Sequence, residues 1–322
     1  MNKIIKYMAI VFAVALSVGI IGSCVVTLVA IVQGVTKNVD FGSENTEGAV
    51  YHDEDGNLVI FGLRIGGTEE TTSFTKTFEG EEIRSVSIDV GAEDIVIKTG
   101  DKFEVVAENV PKSYKAEVKD GVLLVYRESR PFFLFSFGFF GPKQKVMVTV
   151  PEGFVAEQFL VDSGSGRVEL TGIHADRFIL DTGSGSVLLS QAISNHTDID
   201  TGSGKVEILD SKLGLTKVDS GSGSVLFTRA DTENFSINSG SGRVSYEGTM
   251  TGNCIFDTGS GSVSVVLNAN EKEYNITADM GSGNFYLNGK KIKDVDIKNA
   301  RAENKLLFDC GSGRVSLEFT KE

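Results

Sequence analysis

Eight segments of this 322-residue chain place a carboxylate or amide side chain beside a glycine-serine-glycine triplet, a combination that could do chemistry. Asp181-Thr-Gly-Ser184 matches the sequence that surrounds each catalytic carboxylate of aspartic proteases. That chemistry needs two such loops from opposed lobes, so that two carboxylates share one proton. Here the copies are too many and too close together for two related lobes, which leaves an aspartic-type hydrolase as a distant alternative.

The copies recur with a fixed spacing. The first six follow one another every 19 residues, and the last two follow after 22 and 30 residues. A fixed period of this size is typical of stacked repeats, each of which buries its apolar face against its neighbours. We number each copy from its acidic or amide residue, which is position 0. The position-0 residues are Asp162, Asp181, Asp200, Asp219, Asn238, Asp257, Asp279 and Asp309.

Apolar residues in most copies fall at positions −3, −1, +6 and +8, as in Phe178, Leu180, Val187 and Leu189. A spacing of two within each pair predicts one strand entering the glycine turn and another leaving it, both with these side chains inward. The chain is therefore predicted to be all-β, a parallel β-solenoid of 19-residue repeats. Position +5 then points outward and is a large cation in every second copy. These cations are Arg167, Lys205 and Arg243, and Glu169 and Glu207 at +7 are placed to pair with the first two.

The glycine corner has two interpretations. In the first, glycines at +2 and +4 allow positive φ angles, and the position-0 oxygen accepts bonds from amides two residues on. Asn238 favours this interpretation, because it keeps the acceptor without the charge. In the second, the acidic column binds cations such as Ca²⁺. One Asp per repeat supplies few of the roughly six to eight oxygen ligands that Ca²⁺ requires. The predicted turn glycines are Gly164, Gly166, Gly183, Gly185, Gly202, Gly204, Gly221, Gly223, Gly240, Gly242, Gly259 and Gly261. The candidate cation column is Asp162, Asp181, Asp200, Asp219 and Asp257.

The N-terminus predicts a membrane anchor. Residues Tyr7–Val32 form an uncharged run of 26, more than the roughly 20 needed to cross a bilayer as a helix. Lys3 and Lys6 precede this run and Lys37 follows it, so the N-terminus is expected in the cytoplasm and the rest outside the cell membrane. Two alternatives stay open, a lipoprotein signal ending at Cys24 and a cleaved secretory signal. The predicted organisation is a cytoplasmic tip (1–6), a transmembrane helix (7–32), an extracellular tether (33–73), the first strands and cap region of a β domain (74–155) and the repeat solenoid (156–322).

Composition excludes several function classes. The first 37 residues hold three of the 31 basic residues and none of the 44 acidic ones, which leaves the predicted exterior part with 28 minus 44, or −16. Such a charge argues against binding nucleic acid or polyanionic polymers by charge alone. Cys254 and Cys310 fall in the sixth and eighth repeats, so they are expected two turns of the solenoid apart, which argues against a disulfide. The three histidines make no ligand spacing with the cysteines, so neither a zinc site nor a cofactor is predicted.

Short strands are predicted between the tether and the repeats. Asp89-Val-Gly-Ala-Glu-Asp-Ile95 is a degenerate copy of the repeat, so the array is expected to begin there, with residues 100–150 as an insertion or cap. Within the tether, Asp55-Gly56 between two apolar runs predicts a hairpin. Lys290–Lys293, in the longest gap between copies, is predicted to be a solvated loop. The predicted strands are 86–89, 95–98, 103–107, 114–118, 122–126 and 145–150.

An aromatic segment, residues 131–142, is bounded by prolines and packs six of the 21 phenylalanines into nine residues. One interpretation is that it covers an open end of the solenoid, where strand edges are exposed. The other is that it contacts the outer membrane leaflet or a protein, since a large exposed apolar patch needs a partner. The side chains of this possible contact segment are Phe132, Phe133, Phe135, Phe137, Phe139 and Phe140.

The serial Gly-Ser-Gly-x-Val turns, the opening Ser85-Val-Ser-Ile-Asp-Val-Gly91 and the strand Val146–Pro151 resemble a known family. It is the putative-adhesin domain of unknown function, also called the toast-rack domain, of bacterial envelope proteins, and the likeness covers roughly residues 74–322. The resemblance implies a β-solenoid, often tethered to the membrane and sometimes associated with envelope-stress systems, and it supplies no catalytic residue. The expected function is a non-enzymatic, membrane-anchored adhesin or binding module for an unknown envelope component or protein. The alternative is a purely structural surface spacer.

Overall fold

The computed structural model describes residues 50–52, 58–60, 63–65, 70–128 and 143–321. They fall into two units, one ending at Ile65 and the other beginning at Gly66. The predicted transmembrane helix (7–32) and the aromatic segment (131–142) lie outside these ranges. Within these ranges, no helix has the length and apolar character needed to span a membrane.

The first unit contains a small antiparallel sheet. Its strands are β1 (Val50–His52), β2 (Leu58–Ile60) and β3 (Leu63–Ile65), in that order across the sheet. β1 and β2 pair in antiparallel register and lie on either side of Asp55-Gly56 in the sequence. The hairpin predicted from this Asp-Gly pair is therefore confirmed.

The second unit is built from strands, with one 3₁₀ turn at Glu271–Glu273 among its described residues. The strands are β4 (Thr71–Thr77), β5 (Ser85–Val90), β6 (Asp94–Gly100), β7 (Glu104–Pro111), β8 (Tyr114–Lys119), β9 (Val122–Arg127), β10 (Lys145–Pro151), β11 (Val155–Ser163), β12 (Arg167–Thr171), β13 (His174–Thr182), β14 (Ser186–Ser190), β15 (Ile193–Thr201), β16 (Lys205–Leu209), β17 (Lys212–Ser220), β18 (Ser224–Thr251), β19 (Asn253–Asn270), β20 (Tyr274–Met280), β21 (Asn284–Leu287), β22 (Lys290–Ile292), β23 (Val295–Ile297) and β24 (Asn304–Lys321). The six strands predicted between residues 86 and 150 are present as β5 to β10.

Successive strands of the repeats stack in parallel and form a solenoid. One ladder joins the strands that enter the glycine corner, and it pairs Asp162 with Asp181 and Asp181 with Asp200. The other ladder joins the strands that leave the corner, and it pairs Val168 with Val187 in the same register. Each pair joins residues that are 19 apart, so equivalent positions lie above one another. Every turn of the solenoid, called a rung from here on, therefore presents the same position at the same place.

Nine rungs stack in the described part of the chain, and at one end their order differs from their order in the sequence. β24 pairs in parallel with β19 on one side and with β20 and β21 on the other. The rung of Asp309 therefore lies between that of Asp257 and that of Asp279. The chain forms the outermost rung and then returns to insert its last strand beneath it. From rung 1 to rung 9, the position-0 residues are Asp89, Asp162, Asp181, Asp200, Asp219, Asn238, Asp257, Asp309 and Asp279.

The insertion of rung 8 accounts for the long spacings between the last copies in the sequence, and it preserves the alternation of cations at +5 along the stack. Along the sequence, the +5 residue after Ser262 is Asn284, and Arg314 comes next. In the stack Arg314 follows Ser262 directly, so large cations occupy rungs 2, 4, 6 and 8 and small polar residues occupy rungs 3, 5, 7 and 9. Like charges on alternate rungs lie about 10 Å apart, close to the Debye length in 0.1 M salt, and so repel one another weakly.

The core lies inside the rungs. Phe178 and Leu180 before the corner, and Val187 after it, are each at most 1% exposed. At the far end the rings of Phe256 and Phe308 are stacked with centroids 4.9 Å apart. The inward positions predicted from the sequence are thus confirmed, and each such side chain contributes about 1.5–3 kcal/mol by its burial.

Strands outside the regular repeat cover both ends of the stack. At the first rung β9 pairs with β5 and β10 pairs with β6, and β7 and β8 extend these ladders as antiparallel partners. At the last rung β22 pairs with β21 and β23 pairs with β20. The prediction of a solvated loop at Lys290–Lys293 is therefore wrong for most of its length, because β22 closes an otherwise open edge and Ile292 packs against the core.

Cys254 and Cys310 lie on adjacent rungs, so the expectation that two rungs separate them is wrong. The insertion places Cys310 beside Thr258, whose hydroxyl donates to the Cys310 Sγ at 3.1 Å, and places Cys254 beside Leu306. Both thiols are free and buried. Four positions along the strand, or about 13 Å, still hold them beyond the reach of a disulfide. Burial raises the pKa of Cys254 to about 11, which keeps this thiol protonated at neutral pH.

Glu93 accepts a backbone hydrogen bond in the glycine corner of rung 1. In later rungs the amide at +2 donates to the rung below, as Gly183 does to the Ser163 carbonyl at 3.1 Å. In rung 1 the Glu93 carboxylate takes the place of that carbonyl and accepts from the Gly91 amide at 2.6 Å. Glu93 occupies position +4, where the other eight rungs have glycine, and it is 2% exposed. A side chain fits at this position because no glycine corner of a preceding rung lies beneath it.

Replacing Glu93 with alanine is expected to lower the free energy of unfolding by about 1–3 kcal/mol, because the Gly91 amide loses its acceptor in a largely buried site. Glu93→Gln keeps an oxygen acceptor and is expected to recover most of the loss. Urea unfolding followed by circular dichroism measures both variants. Equal losses in the two would show that the charge of Glu93, and not its role as acceptor, stabilises the first rung.

Candidate interaction surface at the glycine corner

The glycine corner is the most regular surface of the solenoid. Three columns of polar side chains run along it in register: the acids at position 0, serines at +3 and cations on alternate rungs at +5. Together these columns are called the corner surface. Of the predicted acidic column, Asp162, Asp181, Asp200 and Asp257 are exposed and Asp219 is half-buried. Neighbouring rungs lie about 4.8 Å apart, which sets the spacing of the carboxylates. The serines are Ser165, Ser184, Ser203, Ser222, Ser241, Ser260, Ser312 and Ser282.

The corner glycines are required by close stacking and not by their backbone conformation, which corrects the explanation drawn from the sequence. None of the glycines at +2 and +4 of rungs 2 to 7 has a positive φ. A Cβ on Gly204 would lie 1.5 Å from the Gly185 carbonyl oxygen, and one on Gly185 would lie 2.1 Å from that of Gly166. Non-bonded heavy atoms pack at about 3.5–4.0 Å. Only glycine therefore lets consecutive corners stack at the spacing of a β ladder.

The position-0 carboxylates of rungs 2 to 5 do not cap the turn, so the first interpretation of the corner is wrong on this point. The turn amides donate instead to backbone carbonyls of the rung below. Ser184 donates to Gly164 at 2.9 Å, and Ser222 donates to Gly202 at 3.0 Å. Because the ladder itself satisfies these amides, the carboxylates are turned toward solvent.

The protease-like motif is part of this stacked corner. Asp181 lies in register with Asp162 on one side and Asp200 on the other, and Thr182 of the motif is 1% exposed. A catalytic dyad requires two carboxylates that face one another and share a proton. The carboxylates of rungs 2 to 4 stand side by side along one edge instead. This geometry gives the aspartic-type hydrolase no support.

Partial burial and electrostatic repulsion along the acidic column both act on Asp181. Its partial burial, and then the neighbouring carboxylates of Asp162 and Asp200, raises the pKa of Asp181. Asp219 differs, because Lys217 forms an ion pair with it at 2.5 Å. Among the described residues, no three or more His, Cys, Asp or Glu side chains are grouped so that they could hold a metal ion. The cation-column interpretation therefore gains no support from the geometry.

Replacing Asp181 with asparagine is expected to raise the free energy of unfolding at neutral pH by a few tenths of a kcal/mol, a small effect because solvent screens the repulsion. The folded state disfavours the ionised Asp181, so this residue weakens the fold above its folded pKa and ceases to do so as the pH falls through that pKa. The gain should therefore be present at neutral pH and vanish in acid. Thermal unfolding at both pH values measures it.

The matched control is Asp219→Asn. It makes the same substitution in the same column but removes the Lys217 ion pair, so no gain is expected. A gain from Asp181→Asn that is equally large in acid and at neutral pH would contradict the assignment to the ionised carboxylate, which its partial burial and its neighbours disfavour.

The +5 column alternates between charged and uncharged rungs. In two charged rungs the cation pairs with the glutamate at +7, Arg167 with Glu169 at 3.6 Å and Lys205 with Glu207 at 2.5 Å. These contacts confirm the pairing predicted from the sequence. Rungs 3 and 5 have serine and leucine at the same two positions. Exposed pairs of this kind contribute only about 0–1 kcal/mol, so they order the surface charge more than they stabilise the fold.

The corner surface is long. It extends about 40 Å along the stack, and the glycines at +2 and +4 leave only the serines between the acidic and cationic columns. Near its far end the Arg314 guanidinium lies 4.0 Å from the centroid of the Tyr286 ring of rung 9. A carboxylate and a hydroxyl on nearly every rung, with a cation on every second rung, form a repeating pattern of donors and acceptors. Such a surface suits an extended partner better than a small molecule.

The sequence did not reveal a second corner, at position +10. There the backbone turns through left-handed conformations, with φ of 70° at Gly172, 53° at Gln191, 50° at Asp210 and 50° at Arg229. Gly172 and Asp210 are of residue types that favour such a turn, whereas Gln191 and Arg229 are not. The 19-residue register could have located the corner, because the four residues occupy equivalent positions.

One family of known proteins matches most of the chain, and several solved structures are similar to it. Residues 83–318 match the model of the family Toastrack DUF4097. No curated protein matches the chain significantly. Similar solved structures include a putative adhesin from Bacteroides fragilis NCTC 9343, which is 13% identical over 78% of this chain and 100% of that chain, with a TM-score of 0.47. A putative adhesin from Parabacteroides distasonis ATCC 8503 is 14% identical over 79% of this chain and 98% of that chain, with a TM-score of 0.42. A putative lipid binding protein from the same organism is 13% identical over 77% of this chain and 97% of that chain, with a TM-score of 0.42. Since the family model spans well over half of the sequence, the chain belongs to the Toastrack DUF4097 family, which confirms the resemblance carried by its serial glycine turns.

Proposed function

We propose that this protein is a non-enzymatic, membrane-anchored module on the outside of the cell, and that its solenoid binds an envelope component or a protein partner along the corner surface. The observation that carries the proposal is the alignment of acids, serines and alternating cations over rungs 2 to 9, with Asn238 in place of an acid on rung 6. Stability requires the inward positions, whereas exposed ion pairs add little to it. A pattern kept in register on the outside is therefore better explained by a partner than by folding.

The remaining parts of the proposal rest on the sequence. The uncharged run 7–32 is the membrane anchor, and the polar residues that follow it are a tether that holds the solenoid away from the bilayer. The aromatic segment 131–142 adds a contact with the membrane or with the partner. This architecture suits adhesion, and it also suits an accessory role in envelope-stress signalling.

Site-specific photo-crosslinking on living cells tests the binding surface. A crosslinking residue is placed at Ser203, which is exposed in the middle of the corner surface, and in a matched strain at Lys212, which is exposed outside it. A specific partner captured from Ser203 and not from Lys212 supports the proposal. If neither position captures a partner, with or without envelope stress, the structural spacer is favoured.

A column variant tests the pattern itself. Changing the four +5 cations to serine should weaken partner capture and leave the fold intact, because serine occupies this position in three of the intervening rungs. Circular dichroism verifies folding. Undiminished capture by the folded variant would show that the +5 column is not part of the interface. The substitutions are Arg167→Ser, Lys205→Ser, Arg243→Ser and Arg314→Ser.

The predicted topology has its own test. A tag at the C-terminus should react with a membrane-impermeant label on intact cells, since residues beyond the anchor are expected outside. A tag that becomes reactive only after the cells are permeabilised would place the solenoid in the cytoplasm and contradict this part of the proposal.

A further inference from the structure

A second surface feature lies about 15 Å from the corner, at the far end of the strands that leave it. Here rungs 5 to 8 form a groove of about 340 Å³. The groove arises where the second corner changes. Both rungs pass this position within β18, but Arg229 of rung 5 has a left-handed φ of 50°, whereas the equivalent Gly248 of rung 6 has a φ of 152°. A Cβ on Gly248 would lie 1.9 Å from the Ala230 carbonyl oxygen, so the two backbones are in close contact beside the groove.

The walls of the groove are held in a fixed relation by Tyr246. This side chain is 1% exposed, and its hydroxyl lies 2.9 Å from the Ala230 carbonyl oxygen and 2.8 Å from that of Thr249. The first carbonyl belongs to the second corner of rung 5 and the other to rung 6. A buried tyrosine therefore ties the backbones of the two rungs together beside the groove.

The charged side chains that line the groove differ in whether they have an ion-pair partner. The Arg229 guanidinium donates to both carboxylate oxygens of Asp210, through Nε at 2.6 Å and Nη2 at 2.8 Å, which orients it and balances its charge. Asp231 and Glu247 make no ion pair or side-chain hydrogen bond with any described residue. Asn268 accepts from the Thr320 hydroxyl at 3.3 Å through Oδ1, which leaves its amide nitrogen available. The groove thus combines two carboxylates that make no ion pair, of which Glu247 lies within electrostatic range of Arg229, with neutral donors and acceptors.

We propose that this groove binds an amino sugar, a hydroxylated amine of about one sugar unit. Asp231 and Glu247 receive the ammonium group, and the Asn268 amide, the Thr320 hydroxyl and the free edge of Arg229 bind the ring hydroxyls. Val266 supplies an apolar contact for one face of the ring. The volume lies near the lower end of the range for ligand pockets, about 300–1,000 Å³. This site is separate from the corner surface, so a test of one proposal does not decide the other.

Titration of the full-length protein with glucosamine at neutral pH, followed by calorimetry, tests the proposal. Saturable binding in the millimolar range is expected because the groove is open to solvent. N-acetylglucosamine should bind at least about tenfold more weakly, since acetylation removes the charge that the carboxylates recognise. Glu247→Gln and Asp231→Asn should each weaken glucosamine binding about tenfold. Glu157→Gln, an equivalent change at an exposed residue of rung 2, should leave binding unchanged.

The source of the sugar is resolved by a second titration with a short glucosamine oligomer. Tighter binding of the oligomer indicates a chain-linked glycan, and equal binding per sugar unit indicates the free amino sugar. Absence of saturable glucosamine binding overturns the proposal. So does equal affinity for the acetylated sugar, or unchanged affinity in Glu247→Gln and Asp231→Asn variants that are folded by circular dichroism.

Discussion

Removing residues 304–322 is expected to unfold two rungs, although it deletes only one. β24 supplies rung 8 and lies between rungs 7 and 9. Without β24, the strands of rung 9 lose the ladder beneath them. We therefore expect amide hydrogen exchange in Tyr274–Leu287 to reach the rate of an unfolded chain, while rungs 1 to 6 stay protected. Protection is retained there because each rung of a solenoid depends mainly on its nearest neighbours.

The size of this effect follows from the buried side chains. β24 contributes Leu306, Phe308, Val315 and Leu317 to the core, each at most 1% exposed. At about 1.5–3 kcal/mol for each side chain, their burial amounts to roughly 6–12 kcal/mol. That is comparable with the whole stability of a typical domain, about 5–15 kcal/mol. A peptide with the sequence of residues 304–321, added in trans, should restore protection in rung 9.

Deletion of residues 271–303 is the matched control. Asp257 and Asp309 are 52 residues apart, and removing 33 of them restores a spacing of 19. Asn270 then precedes Asn304 directly, at the two positions that are consecutive between regular rungs. This variant loses rung 9 and its covering strands but should keep rungs 1 to 8 folded. If Tyr274–Leu287 stayed protected after loss of residues 304–322, rung 9 would be able to stack directly on rung 7, contrary to the prediction.

Gly204→Ala is expected to lower the free energy of unfolding by at least about 3 kcal/mol, at the upper end of what an added methyl group does in a packed core. The new Cβ would lie 1.5 Å from the Gly185 carbonyl oxygen, which is backbone and cannot rotate away. Rungs 3 and 4 would have to separate, and the bonds from rung 4 amides to rung 3 carbonyls, such as Ser203 to Gly183, would weaken. Chemical unfolding of the variant measures the loss.

Ser203→Ala is the control for this substitution. Ser203 lies one residue away in the same turn, its side chain is exposed, and removal of a surface hydroxyl usually changes stability by less than about 0.5 kcal/mol. Similar unfolding free energies for Gly204→Ala and the wild type would show that the corners are not held as closely as the geometry indicates. The explanation of the corner glycines by stacking would then fail.

Much of the local arrangement could be predicted from the sequence, because alternation and period are sufficient for it. Phe178 and Val187 were assigned to the core by spacing alone, and the pairing of Arg167 with Glu169 followed from their sharing one outward face. The reason for the corner glycines could not be predicted in this way. A Gly-Ser-Gly triplet is compatible with positive φ and with close stacking, and only the distance between neighbouring corners distinguishes the two.

The groove beside Arg229 also could not be predicted from the sequence. It depends on how the path of rung 5 differs from that of rung 6, and both rungs have the same 19-residue spacing. Glu93 is an intermediate case. Its departure from glycine at +4 is visible in the sequence, but its role as an acceptor for Gly91 emerges only once the position of rung 1 at the end of the corner column is known.

Patterns within and between neighbouring copies are sufficient to predict that this protein is all-β, that its repeats stack in parallel and which side chains face inward. Which rung lies on which depends instead on contacts between distant parts of the chain. The copies at Asp279 and Asp309 have compatible ladder patterns, so local sequence permits either order. The order is decided by pairing between β24 and β19, which are far apart in the chain, and by the strands that cover the outer face of rung 9. The regular spacing of the corner cations, which the proposed function uses, is a consequence of that choice.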